Sequence, residues 1–194
     1  MHLPPSLPPP PPRPPPPPPR SFNQKSATRE LRLGLSRAFV SLCRGLSRPE
    51  LERHAELLLT HLVSMLGAPT SNAAGAKSVH EAVTHAMRAG LGETLSERGQ
   101  ARMAASLATA ATSRDAVDGS IVVCLKEVAM LLQCLREVAT ATRDTLLQGE
   151  RSLLLLVEHP ASAVRTAACA CLWALILAFP NQLAGLLNAS INRE

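Results

Sequence analysis

Residues 151–178 read RSLLLLVEHPASAVRTAACACLWALILA, and this stretch decides the fold class. A leucine-rich segment ends at Pro160, and a nearly apolar segment follows it. Proline disfavours helix in the residue before it and suits a first helical turn, so it separates two helices. The longest apolar run, residues 167–179, has 13 residues, whereas a bilayer span needs about 20. The stretch predicts two helices joined by a turn, the second buried in a protein core with Trp173 inside.

The same helical pattern runs through most of the chain. Apolar residues recur at spacings of three and four, which is the period of a helix with one buried face. In the first helix this face is predicted to carry Leu31, Leu35, Ala38, Phe39, Leu42 and Leu46. Asp118 is predicted to cap the fifth helix. The first two helices are expected to form a hairpin. The predicted helices cover about 28–46, 48–66, 77–89, 96–112, 121–140, 142–157, 162–178 and a short segment after Pro180.

Composition supports an all-α protein. Apolar residues make up 46% of the 194 residues, aromatics only 2%, and tyrosine is absent. Leucine and alanine favour helix, whereas the aromatic and β-branched residues that favour strands are scarce. Helices joined in pairs by short turns favour an α-solenoid of stacked antiparallel pairs, and an ordinary helical bundle is the competing arrangement.

The first residues form a separate region. Of 17 prolines, 13 lie between positions 4 and 19. Such sequence favours extended polyproline II and buries no core, so residues 1–24 are predicted to be a disordered tail and residues 25–194 a helical domain.

The tail carries the SH3-ligand pattern PxxPxR twice. A tract this rich in proline also satisfies that pattern by chance. The residues concerned are Pro8, Pro11, Arg13, Pro15, Pro18 and Arg20.

Charge and cysteine spacing exclude several functions. The net charge of +5 is mild, and most aromatics fall at predicted core positions, so nucleic-acid binding is not expected. Five cysteines with no CxxC spacing argue against a disulfide framework or zinc site and predict free, buried thiols. No cofactor is expected.

Catalytic chemistry is not expected either. The chain has no phosphate-binding GxxxxGK[ST] and no GxSxG nucleophile motif. His54 and His61 are seven residues apart rather than four, so they are predicted to be surface residues rather than metal ligands. Glu127 and Glu137 follow Lys126 and Arg136, which predicts a solvated face.

The opening stretch resembles a HEAT repeat. In that motif a leucine-rich helix ends at a turn with proline, and the next helix begins with a Val-Arg pair followed by small residues and a leucine. The matching residues are Pro160, Val164, Arg165, Ala168 and Leu172. Val164, Ala168 and Leu172 follow helical spacing toward a paired helix. Arg165 is expected to reach turn carbonyls or an acidic side chain of an adjacent repeat.

A wider resemblance covers about residues 28–190. The pieces LRLGLSRAFVSLCRGLSRPELERHAELLLTHLVSML, VVCLKEVAMLLQCL and VEHPASAVRTAACACLWALILAFPNQLAGLL resemble the HEAT-repeat-containing protein 5 family. Members of that family are far longer, so the chain resembles a fragment or short isoform. The resemblance implies a cytosolic scaffold in membrane traffic that associates with the clathrin adaptor complex or its accessory proteins. It places the protein peripherally on Golgi and endosomal vesicles, through partners only, and implies roles in endocytosis, endosome-to-Golgi retrieval and protein localisation.

Overall fold

The computed structural model describes residues 29–67, 73–135, 140–148 and 151–179, and within these ranges it contains helices and no strand. The prediction of an all-α protein is confirmed. The predicted tail, residues 1–24, and the predicted last helix after Pro180 lie outside the described residues. The helices are α1 (Arg29–Gly45), α2 (Arg48–Leu66), α3 (Ala73–His85), which continues into a π-helical segment (Ala86–Gly92), α4 (Glu97–Thr112), α5 (Asp118–Cys134), α6 (Thr140–Gln148), α7 (Leu153–Val157) and α8 (Ser162–Ala178).

Several helix starts follow from local capping. At α2 the Glu50 carboxylate accepts hydrogen bonds from the Ser47 backbone N–H at 3.1 Å and from its hydroxyl at 2.5 Å. At α4 the Ser96 hydroxyl accepts from the Gly99 N–H at 3.2 Å. Such caps satisfy N–H groups that have no partner within the helix. The prediction for Asp118 was wrong, because the extended residue before α5 is Val117 and Asp118 is the first helical residue.

The helices pack as two series of neighbours. In one series α1 packs on α3 and its π segment, α3 contacts α5, and α5 packs extensively on α8. In the other, α2 contacts α4 and α4 contacts α6. Between the series, α2 packs on α3, α4 on α5 and α7 on α8. The buried apolar side chains of all these helices form one core.

The predicted hairpin of α1 and α2 was wrong. Helix α1 makes its main contacts with α3 and the π segment instead. It buries Ser36, Val40 and Cys43, and of the predicted face only Phe39 and Leu46 pack, partly buried, against the core. The other four residues of that face are exposed: Leu31, Leu35, Ala38 and Leu42.

Three predicted helix ranges also differ. The fifth, predicted for residues 121–140, begins at Asp118 and ends at Cys134, and Leu135 after it is extended. The predicted sixth helix is divided into α6 and α7, and Gly149 in the intervening sequence has the poorest helix propensity of any residue except proline. The third, predicted for residues 77–89, begins at Ala73 and continues through the π segment to Gly92. In the part of the chain described, no helix combines the length and apolarity needed to cross a bilayer.

Candidate interaction surface

The turn before α8 is held by Arg165. Its Nη1 donates to the carbonyl oxygens of His159 at 2.9 Å and Pro160 at 2.7 Å. The sequence predicted that Arg165 reaches either turn carbonyls or an acidic side chain, and its described contacts are with turn carbonyls. A guanidinium that binds two such carbonyls at a bend holds α7 and α8 in a defined relation.

The other residues of the HEAT-like pattern lie around this turn. Val164 and Ala168 are fully buried. Leu172 is partly buried against the core, and Pro160 is exposed. The structure thus brings the five residues together at one helix pair. They form a packing unit and not a chemical site, because none carries a nucleophile, an acid or a metal ligand.

A buried ion pair links the π segment to α5. Glu127 is 1% exposed, and Arg88 binds both of its carboxylate oxygens at 2.7–3.0 Å. The hydrogen bond to Glu127 raises the pKa of Arg88. The prediction that Glu127 lies on a solvated face was wrong. Glu137 lies outside the described residues.

This pair does not form an acid–base site. A general base needs a free carboxylate within reach of a substrate, whereas both oxygens of Glu127 are held by a planar guanidinium. The nearest thiol, Cys124, has its pKa raised to about 12 by burial and by Glu127. The arrangement therefore stabilises packing between α5 and the π segment.

The other thiols divide into two groups. Cys43 and Cys171 are buried, and burial raises the pKa of both, that of Cys171 to about 12. Cys134 and Cys169 are exposed, so the prediction of buried thiols was wrong for these two. All five cysteines are free. A thiol with a raised pKa is a poor nucleophile, because the thiolate is the reactive form.

The histidines are dispersed. His54 and His61 are exposed on α2. His85 Nδ1 lies 2.7 Å from the hydroxyl of Ser36 and joins α3 to α1. Across the described ranges, no group of three or more His, Cys, Asp or Glu side chains is placed to hold a metal ion.

Two grooves among the described residues bear on small-molecule binding. One of about 20 Å³ lies between α2 and α4, with room for about one water molecule. The ion pair between Glu56 and Arg102, 3.6 Å apart, stands at this groove. The other is an open polar depression beside the end of α4 and α6. The second groove has a volume of about 720 Å³ but is largely open to solvent, whereas a small-molecule site usually buries most of its ligand.

The first exposed apolar surface lies on α1. We call it the α1 face. A Cβ atom added at Gly34 or Gly45 would meet nothing within 4 Å, so the positions beside the leucines open to solvent. The face lies opposite the side that packs on α3 and the π segment, and it consists of Leu31, Gly34, Leu35, Ala38, Leu42 and Gly45.

The second exposed apolar surface lies on α8, and we call it the α8 face. It consists of Cys169, Ala170, Trp173 and Leu177. Trp173 is 61% exposed, so the prediction that it lies in the core was wrong. The buried side of α8 is opposite and packs on α5 and α7. Between Thr166 and Ala178 the helix has no charged residue.

The fold and these surfaces define an all-helical protein with exposed apolar faces. No protein-family model matches the chain, and no solved structure matches it significantly. The resemblance to the HEAT-repeat-containing protein 5 family therefore stays a prediction. The proline residues of the SH3-ligand pattern lie outside the described residues.

Proposed function

We propose that the chain is a non-catalytic protein–protein scaffold, built as an α-solenoid of HEAT-like helix pairs. The observation that carries this proposal is the pair of apolar faces on α1 and α8, at opposite ends of one series of packed helices. In a solenoid each unit contacts only its neighbours, and the terminal units present surfaces on which another unit packs. The two series of neighbours and the Arg165 turn also support this arrangement.

We further propose that the scaffold acts in vesicle-mediated membrane traffic. The resemblance of residues 28–190 implies this role, with clathrin adaptor subunits or their accessory proteins as partners, in the cytoplasm and on Golgi or endosomal vesicles. The processes concerned are endocytosis, endosome-to-Golgi retrograde transport and protein localisation. The supporting physical argument is the exposed side chain of Trp173, because tryptophan is a common anchor of protein–protein contacts.

The second candidate is an adaptor that acts through the proline tract. Two PxxPxR patterns in residues 8–20 favour it. Their ligands are SH3-type, WW or EVH1 domains of cytoskeletal or signalling proteins, which bind polyproline II segments in aromatic grooves.

Affinity capture with three baits separates the two candidates. The baits are residues 1–194, residues 25–194, and the full chain with alanine at Pro8, Pro11, Pro15 and Pro18. Mass spectrometry that finds clathrin adaptor subunits or their accessory proteins with all three supports the trafficking scaffold. SH3-domain proteins with the unaltered full chain alone support the adaptor. If no bait retains adaptor subunits above an empty-matrix control, the trafficking role is wrong.

A further inference from the structure

We propose that copies of this chain associate head to tail, with the α8 face of one copy packed on the α1 face of the next. The contact would continue the series α1, α3, α5, α8 across two molecules. It depends only on the described faces and not on the proposed role in traffic.

The position of the two faces supports this contact. Within the molecule α8 packs on α5, and α1 packs on α3 with its π segment, through the side of each helix that faces into the series. The apolar faces lie on the outer sides. Because a helix advances 100° per residue, the centre of each face falls about 150–160° from the centre of the buried residues. A second copy placed against either face would extend packing that the fold already uses.

The shapes of the two faces are complementary. The α1 face alternates leucines with Gly34 and Ala38, which leave room for a neighbouring side chain. The α8 face presents the bulky indole of Trp173 next to the small Ala170. Helices pack closely when large side chains of one fit between those of the other. Both helices have 17 residues, so the faces match in length.

Charge does not oppose the same pairing. The α8 face brings no ionic group into the contact, because residues 166–178 are uncharged. On α1, Arg29 and Arg44 already bind Glu81 and Glu93 at 3.3 and 2.9 Å. These two arginines therefore bring no new unpaired charge into the contact, and Arg37, which is exposed on α1, is not part of the α1 face. One helix-to-helix contact is smaller than the roughly 1,200 Å² of a stable complex, so the association should be weak and concentration-dependent.

A complementation experiment on the full chain tests this contact. Leu35→Ser alters only the α1 face and Trp173→Ser alters only the α8 face. Sedimentation velocity should find the unaltered chain in a concentration-dependent series of dimers and larger species. Each variant alone should be monomeric at concentrations where the unaltered chain associates, and their mixture should form one-to-one dimers but no larger species, because only one intact pair of faces is left.

Leu57→Ser is the matched control. Leu57 is the most exposed large apolar residue on α2, at 71%, and belongs to neither face. Its variant should associate like the unaltered chain. The proposal is overturned if the unaltered chain is monomeric at every concentration, if the mixture stays monomeric, or if Leu57→Ser weakens association as much as Trp173→Ser does.

A crosslinking experiment identifies the faces in contact. In a Cys134→Ser background, one chain carries Ala38→Cys with Cys169→Ser, and a second chain of different mass keeps Cys169. Mild oxidation should join the two different chains. Disulfides between identical chains would mean a contact of like faces and overturn the proposal, as would no crosslink above that of a Thr60→Cys chain, whose new thiol lies on α2.

Discussion

At the scale of single residues, the Arg88–Glu127 pair has the largest predicted effect on stability. Removal of one partner of a buried ion pair leaves the other charge without compensation, which costs about 3–5 kcal/mol. Arg88 is 48% exposed and therefore partly hydrated, so we expect Arg88→Met to lower the free energy of unfolding by about 3 kcal/mol, the lower end of that range. Urea denaturation at pH 7 measures this change.

The Glu56–Arg102 pair provides the control. Both side chains are largely exposed, at 71% and 64%, and exposed pairs contribute about 0–1 kcal/mol. Arg102→Met should therefore change stability by less than 1 kcal/mol. The double variant Arg88→Met, Glu127→Leu should recover most of the loss, because apolar side chains can replace a buried pair. Equal losses for Arg88→Met and Arg102→Met would contradict this account of Glu127.

The buried thiols predict a loss of stability at alkaline pH. Burial raises the pKa of Cys124 and Cys171 from 9.0 to about 12. Between these pH values the unfolded state loses thiol protons that the folded state keeps, so the free energy of unfolding falls as pH rises above 9. Each thiol contributes up to about 1.4 kcal/mol per pH unit in this window. Urea denaturation between pH 8 and 10.5 measures the slope.

Two double variants isolate the thiols. Cys124→Ala with Cys171→Ala should flatten the slope, although the lost packing lowers stability at every pH. Cys134→Ala with Cys169→Ala removes the exposed thiols and should leave the slope of the unaltered chain. If both double variants show the same pH dependence, another set of groups controls the alkaline transition.

Single residues also show which features could be predicted from the sequence and which could not. The burial of Glu127 could have been predicted from the sequence, because the apolar residues Cys124 and Leu131 fall on the same helix face, and both are buried. The partner of Glu127 could not have been predicted from the sequence. Arg88 is 39 positions away, and the contact depends on how the π segment packs on α5. The exposure of Trp173 depends likewise on which helices surround α8, and an apolar run does not specify this.

At the scale of helices, Gly90 decides how closely α1 approaches the π segment. A Cβ atom at this position would lie 3.0 and 3.1 Å from ring atoms of Phe39. Alanine usually gains up to about 1 kcal/mol over glycine in a helix, but crowding of packed side chains costs about 1–3 kcal/mol. We expect Gly90→Ala to destabilise the protein by about 1 kcal/mol, as measured by urea denaturation.

Gly34→Ala is the control on the same pair of helices. Gly34 lies inside α1 with open space around its Cβ position, so only the helix propensity changes. This variant should stabilise the protein by about 0.5–1 kcal/mol. Opposite signs for the two substitutions are the expected result. A stabilising Gly90→Ala would show that Phe39 moves without cost.

Helix existence was more predictable than helix pairing. The period of three and four identified α2, α4 and α8 close to their observed ranges, because each has its own buried face and stop signals. Pairing was not predictable at α1, where Leu31, Leu35 and Leu42 are exposed although the sequence predicted them to be buried, and the π segment packs beside Phe39 and Cys43. An exposed apolar face and a buried one look alike in a sequence.

At the scale of the whole molecule, we expect the described core to fold independently of the proline tract. Among the described residues, the buried apolar side chains extend from Val40 to Leu175. Proline-rich sequence gains little from folding, because it has little apolar surface to bury and no N–H to donate. We therefore expect residues 25–194 to unfold with the same urea midpoint and slope as the full chain, since the slope reports the surface exposed on unfolding.

A shorter chain that removes part of the core is the control. Residues 46–194 lack Val40 and Cys43, together with the Phe39 ring that covers Gly90. Loss of that buried surface should lower both the midpoint and the slope. The two truncations thus place the boundary of the folding unit between the tract and α1. A 25–194 chain as unstable as 46–194 would mean that residues before 25 belong to the folded body, and the division into a tail and one helical domain would then be wrong.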